Sequence, residues 1–221
     1  MDKIYIIDFD STLVTLESLD ELARIALAGR PDIDQIMAQI ENITNQGMSG
    51  EIGYDESLDC RLKLFSADRQ HIIQLTEILK ANISPSLISN IEWFRQSANS
   101  IYIVSGGFED YIAPVIHGLG LGLPDDRIFA NRLTYDDSGN ITGYDQSGLL
   151  WKPLGKVRQV EALGLSGKQV IMIGDGHTDF EVKANGAADE FWAFTETVSR
   201  PQATKDADRV INSFAAVAGT A

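Results

Sequence analysis

Ile4-Tyr5-Ile6-Ile7-Asp8-Phe9-Asp10-Ser11-Thr12-Leu13 is the stretch from which the fold can be read. Its first four residues, apolar or β-favouring, spell a short buried strand. Two aspartates follow at alternate positions, and Ser11-Thr12 can cap the turn. If extended geometry persists through Phe9, Asp8 and Asp10 face one side of the backbone. A parallel strand ending in two carboxylates at the rim of a sheet suits ligand or metal chemistry. Read alone, the same acids also serve as turn formers or helix N-caps.

Two further strands end in polar residues of the same kind. Ser100-Ile101-Tyr102-Ile103-Val104 is expected to stop at Ser105-Gly106-Gly107, and Gln169-Val170-Ile171-Met172-Ile173 runs into Gly174-Asp175-Gly176-His177-Thr178-Asp179. Phe191 to Phe194 and Arg209 to Ile211 extend the sheet, and Asp136-Asp137-Ser138-Gly139-Asn140 joins a hairpin. Helical periods intervene over Ser86 to Ser97, Phe108 to His117 and Lys156 to Leu163. Strands alternating with helices predict an α/β protein with a doubly wound, mostly parallel sheet. In such a sheet the carboxyl ends of the strands line a common crevice, which would gather all three polar termini.

Between the first strand and the next lies a helical segment far longer than a crossover requires. Leu19, Leu22, Ala23 and Ala26 share a helical face that stops near Gly29-Arg30-Pro31. Ile33 to Ile43 continues the period up to Gly47, Tyr54 to Phe65 fits a third helix, and Ala67 to Leu79 a fourth. We read residues 15–79 as a helical cap inserted into a catalytic core made of 1–14 and 80–221.

The 221 residues carry 18 basic and 32 acidic side chains, a formal net charge of -14. That balance argues against nucleic acid or an anionic membrane as partner, since both need positive potential. The opening apolar run is too short for a signal peptide, and nothing downstream approaches a membrane span, so a cytoplasmic protein is expected. Cys60 is the single cysteine, which leaves no intrachain disulfide and no thiolate zinc site. Clustered hard carboxylates without a cysteine partner favour Mg²⁺.

Asp8-Phe9-Asp10-Ser11-Thr12, Ser105-Gly106-Gly107-Phe108, Lys156 and Gly174 to Asp179 resemble the four motifs of the haloacid-dehalogenase superfamily. Within it the chain is similar to the phosphoserine phosphatases, through Asp8 to Ala23, Gly47-Met48-Ser49-Gly50 with Tyr54 and Ser57-Leu58, and Ala130-Asn131-Arg132-Leu133. The resemblance implies a Mg²⁺-dependent phosphomonoesterase with Asp8 as nucleophile and Asp10 as the proton-transferring acid and base. It also implies metal ligation by Asp8, the Asp10 carbonyl and Asp175, with Asp179 as ligand or support. Ser105, the Gly106 amide and Lys156 would bind the phosphoryl oxygens. Lys152 is the alternative lysine, but Lys156 opens the clearer helix.

By the same resemblance Glu17 would face a substrate ammonium and Arg61 its carboxylate, while Met48 and Tyr54 wall the site. The implied partner is a small phosphorylated metabolite, phosphoserine above others, handled by a monomer or homodimer. A different phosphorylated metabolite, or phosphate binding without catalysis, are the competing readings. His177 is expected to point away from substrate, and His71 and His117 to be structural or exposed.

Overall fold

The computed structural model describes residues 2–219. The chain opens with β1 (Lys3–Ile7), followed by α1 (Ser18–Ala26), α2 (Ile33–Ser49), α3 (Tyr54–Leu62) and α4 (Arg69–Ala81). Two short helices, α5 (Pro85–Ser89) and α6 (Ile91–Gln96), lead to β2 (Ile101–Phe108) and α7 (Glu109–Gly118). Then come β3 (Ile128–Asn131), β4 (Leu133–Tyr135), β5 (Ile141–Tyr144), α8 (Gly155–Ala162) and β6 (Gln169–Gly174). The chain closes with α9 (His177–Ala184), β7 (Glu190–Phe194), α10 (Pro201–Asp206), β8 (Arg209–Ile211) and α11 (Ala215–Ala218). Among the described residues no helix is long and apolar enough to cross a membrane.

Six strands form one parallel sheet in the order β3-β2-β1-β6-β7-β8. The first strand is therefore central, and the order reverses beside it, which places a crevice at the carboxyl ends of β1 and β6. Period-two alternation divides the core. Tyr5, Ile7, Ile101, Ile103, Ile171 and Ile173 join the cluster on one face with Leu22, Leu75 and Tyr111. Ile4, Ile6, Val170 and Met172 join the other with Val157, Val160 and Val182. Each such buried isoleucine is worth about 1.5–3 kcal/mol, and Ile4, Ile6 and Ile7 anchor β1 on both faces of the sheet. A third small cluster, Ala23, Leu27, Met37 and Ile40, holds α1 to α2.

Several boundaries differ from those expected. β2 does not stop at Ser105: it continues through Gly106-Gly107 to Phe108 with a register shift against β3, so the two glycines form an irregular strand end rather than a turn. β3 is an additional short edge strand. The helix expected over 86–97 is broken at Asn90, where the Asn90 side chain donates to the Ser86 carbonyl at 2.7 Å. α2 runs past Gly47 and ends at Gly50, whose φ of 79° supplies the left-handed stop. α4 continues to Ala81, beyond the expected edge of the cap at residue 79, and its N-terminus is closed by a reciprocal bond between Asp68 and His71.

Candidate active site

β1 ends at Ile7, and Asp8 still follows the sheet: its N–H donates to the Ile173 carbonyl at 2.9 Å. The chain then turns rather than staying extended, with the Phe9 carbonyl accepting from Leu13 and Val14 and with Ser11 at φ 52°. Asp8 and Asp10 do line one cavity, but the turn brings them there and not strand alternation. The carboxylates of Asp8, Asp175 and Asp179 each offer an oxygen within 4.8 Å of the others, all three buried.

Lys156 enters this cluster from the first turn of α8. Its Nζ lies 2.8 Å from Asp8 Oδ2 and 2.6 Å from Asp179 Oδ1. The approach depends on Gly155, where a Cβ would sit 2.6 Å from the Leu150 carbonyl oxygen. Gly174 serves the same purpose on β6, since a Cβ there would fall 2.2 Å from the Asp179 carboxylate. Lys152 lies over the Trp151 ring and lines a neighbouring cavity of about 200 Å³ that neither Asp8 nor Asp10 reaches. His177 lines that neighbouring cavity too, away from the acids.

The charges do not balance. Among the described residues, Asp8, Glu17, Asp20, Asp175 and Asp179 pair only with Lys156, Arg61 and Arg200, and Asp10 adds a sixth acid beside Asp8 and Glu17. Burial, with Glu17 next, pushes Asp175 up to about 8 against the pull of Arg200, and burial pushes Asp179 up to about 7 against that of Lys156. Burial raises Asp10 well above the usual carboxylate range, and the Glu17 and Asp8 charges add to it. Burial alone would lower Lys156, but Asp179 and Asp8 outweigh it and raise the ammonium above its usual value. Asp175 Oδ1 is buried with no hydrogen-bond partner among the described residues. An orphaned acceptor among hard oxygens with surplus negative charge fits a divalent cation.

The second half of the cavity is contributed by the helices. Glu17, Met48, Tyr54 and Arg61 line it together with Asp8, Asp10, Ser105, Gly106 and Lys156. Thus all nine expected residues of the phosphate and substrate sides meet in one place, while Asp175 and Asp179 sit next to Asp8 in the metal-type cluster. Tyr54 donates its hydroxyl to the Gly106 carbonyl, which also accepts from Asn131 at 2.7 Å. Burial pushes the Tyr54 phenol up to about 12, so it remains a donor at neutral pH.

Asp20, Thr44, Arg200 and Ser18 are given no role from the sequence. Arg61 Nη1 is held by Asp20 at 3.3 Å and Thr44 at 3.2 Å. Glu17 accepts from Ser11 at 2.7 Å and from Arg200 at 2.9 Å, and Arg200 also reaches Asp175 at 2.7 Å. Asp8, Glu17, Arg61 and Lys156 therefore each have an opposite charge against them, whereas Asp10 is held by a neutral residue. Ser18, the last of the four, donates its N–H to Asp10 Oδ1 at 3.1 Å.

A family model of the haloacid dehalogenase-like hydrolases matches residues 3–184. The chain is 31% identical to the chloroplastic phosphoserine phosphatase of Arabidopsis thaliana, over 94% of this chain and 68% of that one. It is 30% identical to the phosphoserine phosphatase of Methanocaldococcus jannaschii, over 81% of this chain and 80% of that one. Among solved structures, a phosphoserine phosphohydrolase-like protein from Francisella tularensis subsp. tularensis SCHU S4 superimposes with a TM-score of 0.85 at 30% identity, covering 99% of each chain. A parallel sheet in this order, two acids after its central strand and a match over most of the length define one class: the chain belongs to the haloacid dehalogenase-like hydrolases. Within that family it is similar to the phosphoserine phosphatases.

Proposed function

We propose that this hydrolase is a Mg²⁺-dependent phosphomonoesterase that converts O-phosphoserine to serine and phosphate. One observation carries the reading: Asp8 and Asp10 line the same cavity as Glu17 and Arg61. Machinery for a phosphate thereby lies beside an acid suited to an ammonium and a guanidinium suited to a carboxylate. Similarity to phosphoserine phosphatases over most of the chain supports the substrate.

In this reading an Asp8 carboxylate oxygen attacks phosphorus, the bond to the serine oxygen breaks, and Asp10 protonates the departing alkoxide. Asp10 then takes a proton from water as that water attacks the aspartyl-phosphate, releasing phosphate and restoring Asp8. Ser105, the Gly106 amide and Lys156 stabilise the charge on the phosphoryl oxygens. Mg²⁺ held by Asp8, the Asp10 carbonyl and Asp175, with Asp179 beside them, would lower the repulsion between an anionic nucleophile and an anionic phosphate. Residues 15–79 act as the cap and 1–14 with 80–221 as the core. Met48 and Tyr54 wall the closed site, whose free space is about 30 Å³. That volume holds about one water, so the cap opens to admit substrate.

Phosphate release from a panel of small phosphomonoesters with Mg²⁺ tests the reading. Phosphoserine should rank first, and Asp8→Asn should abolish turnover. A panel led by a phosphate without an amino-acid end would overturn the substrate, and an active Asp8→Asn protein would overturn the mechanism.

A further inference from the structure

Asp10 is gripped at both oxygens by one residue. The Ser18 N–H donates to Oδ1 at 3.1 Å, and Ser18 Oγ lies 2.9 Å from Oδ2. Ser18 Oγ is also 2.7 Å from Tyr111 Oη. Ser18 is the first residue of α1 and Tyr111 lies on α7, so the contact joins two separate elements of the chain. Both residues are fully buried.

The single hydrogen of the Ser18 hydroxyl cannot serve both contacts. With Asp10 ionised it must go to the carboxylate, and Tyr111 then donates to Ser18 Oγ. Tyr111 belongs to the apolar cluster on that face of the sheet, where a phenylalanine ring would fill the same space. A phenol buried there costs free energy unless its hydroxyl is bonded, and Ser18 supplies the bond.

We propose that Ser18 and Tyr111 are positioning residues for the proton-transferring carboxylate, a hydrogen-bonded pair that bridges α1 and α7 and keeps both oxygens of Asp10 in one rotamer. The proposal rests on the phosphomonoesterase reading of Asp10. Ser18 and Tyr111 lose no proton: the one Asp10 gives to the alkoxide leaves with serine and is replaced by one taken from the attacking water. Tyr111, which lines the same cavity, is hydrogen-bonded to Ser18, and a loss that runs through that bond has a signature that a packing role lacks.

The experiment is a double-mutant cycle on the full-length protein with Mg²⁺, reading kcat and KM for phosphoserine and the melting temperature of each variant. Ser18→Ala should lower kcat about 10- to 100-fold with KM within about twofold, a part of what general acid–base catalysis supplies. Tyr111→Phe, nearly isosteric, should lower kcat about threefold to tenfold and keeps the test open should Ser18→Ala fail to fold. The double variant should be no slower than Ser18→Ala, and Ser18→Thr, which restores the hydroxyl, should recover kcat. Single losses that multiply in the double variant would overturn the proposal, as would a Tyr111→Phe loss confined to KM or a kcat unchanged in both single variants. If the wild-type protein ignores phosphoserine but hydrolyses another phosphomonoester, the substrate reading falls and the cycle is run on that ester. If it hydrolyses none, the role of Asp10 falls and this proposal with it.

Discussion

Arg200 holds Asp175 through its Nε, 2.7 Å from the carboxylate Oδ2, and the other oxygen of that carboxylate has no hydrogen-bond partner among the described residues. The same guanidinium reaches Glu17 from Nη2 at 2.9 Å. One side chain thus links an acid of the metal-type cluster to an acid of the substrate side.

Arg200→Ala should therefore injure both functions together. Burial raises the Glu17 carboxyl, and Arg200 is the largest influence opposing that rise. Without the arginine, Glu17 would hold a proton more readily and lose its attraction for an ammonium. The lost charge-assisted bonds, about 1.5–3 kcal/mol each, predict a fall in kcat/KM for phosphoserine of about tenfold or more per bond. Steady-state kinetics at several Mg²⁺ concentrations checks this, and a change confined to one of KM and metal dependence would contradict the link.

The two candidate lysines separate cleanly. Lys156→Met removes the cation between Asp8 and Asp179 and should cost about 10²–10³ in kcat, the scale found for loss of one charge-stabilising donor. Lys152→Ala, in the neighbouring cavity, should change kcat less than about twofold, since a surface change away from the chemistry leaves the charges on the phosphoryl group untouched. Initial rates with phosphoserine decide it.

Removing the metal should make stability depend on pH. Asp175, pushed up to about 8, and Asp179, pushed up to about 7, both bind protons more tightly in the folded chain than in the unfolded one. Their contribution to stability is present at low pH and lost as pH rises through about 7 to 8. The chelator-treated protein should melt at a lower temperature at pH 8.5 than at pH 6, and millimolar Mg²⁺ should narrow the gap by binding the ionised pair. Proton release on Mg²⁺ binding, followed by calorimetry in two buffers at pH 7, gives an independent reading.

Arg61→Ala should distinguish substrates by their carboxylates. KM for phosphoserine should rise about 10- to 100-fold, the value of a charge-assisted pair, while phosphoethanolamine, which lacks the carboxylate, should change little. Asp20→Asn, which loosens the guanidinium without removing it, should shift KM in the same direction by less.

What could be read from the residues was whatever sat at the end of a strand or opened a helix. Asp8 follows β1, Asp175 follows β6 and Lys156 lies in the first turn of α8, so each is tied in sequence to the element that carries it. Ser105 and Gly106 were recognisable as site residues although β2 runs on through them, because glycines that mark a turn also mark a bulged strand end. The supporting residues were not legible for a different reason. Arg200 meets Glu17 across 183 positions and Tyr111 meets Ser18 across 93, and neither stretch has a spacing that announces the meeting. Asn90 inside an amphipathic run also gave no warning that its side chain would cap the run early.

The central place of β1 has a consequence for how the protein comes into being. The strand that leads into Asp8 pairs with β2 and β6, whose first residues lie about a hundred and more positions downstream. A chain emerging from the ribosome therefore holds Asp8 from the start but lacks Lys156, Asp175 and Asp179 until the sixth strand and the helix after it have been made. Such distant pairing slows folding, because loop closure must be completed before the contacts repay it. The assembled site is in this way reserved for the finished molecule, and a chain cut before residue 175 would keep Asp8 while lacking Asp175 and Asp179, the other two acids of the cluster.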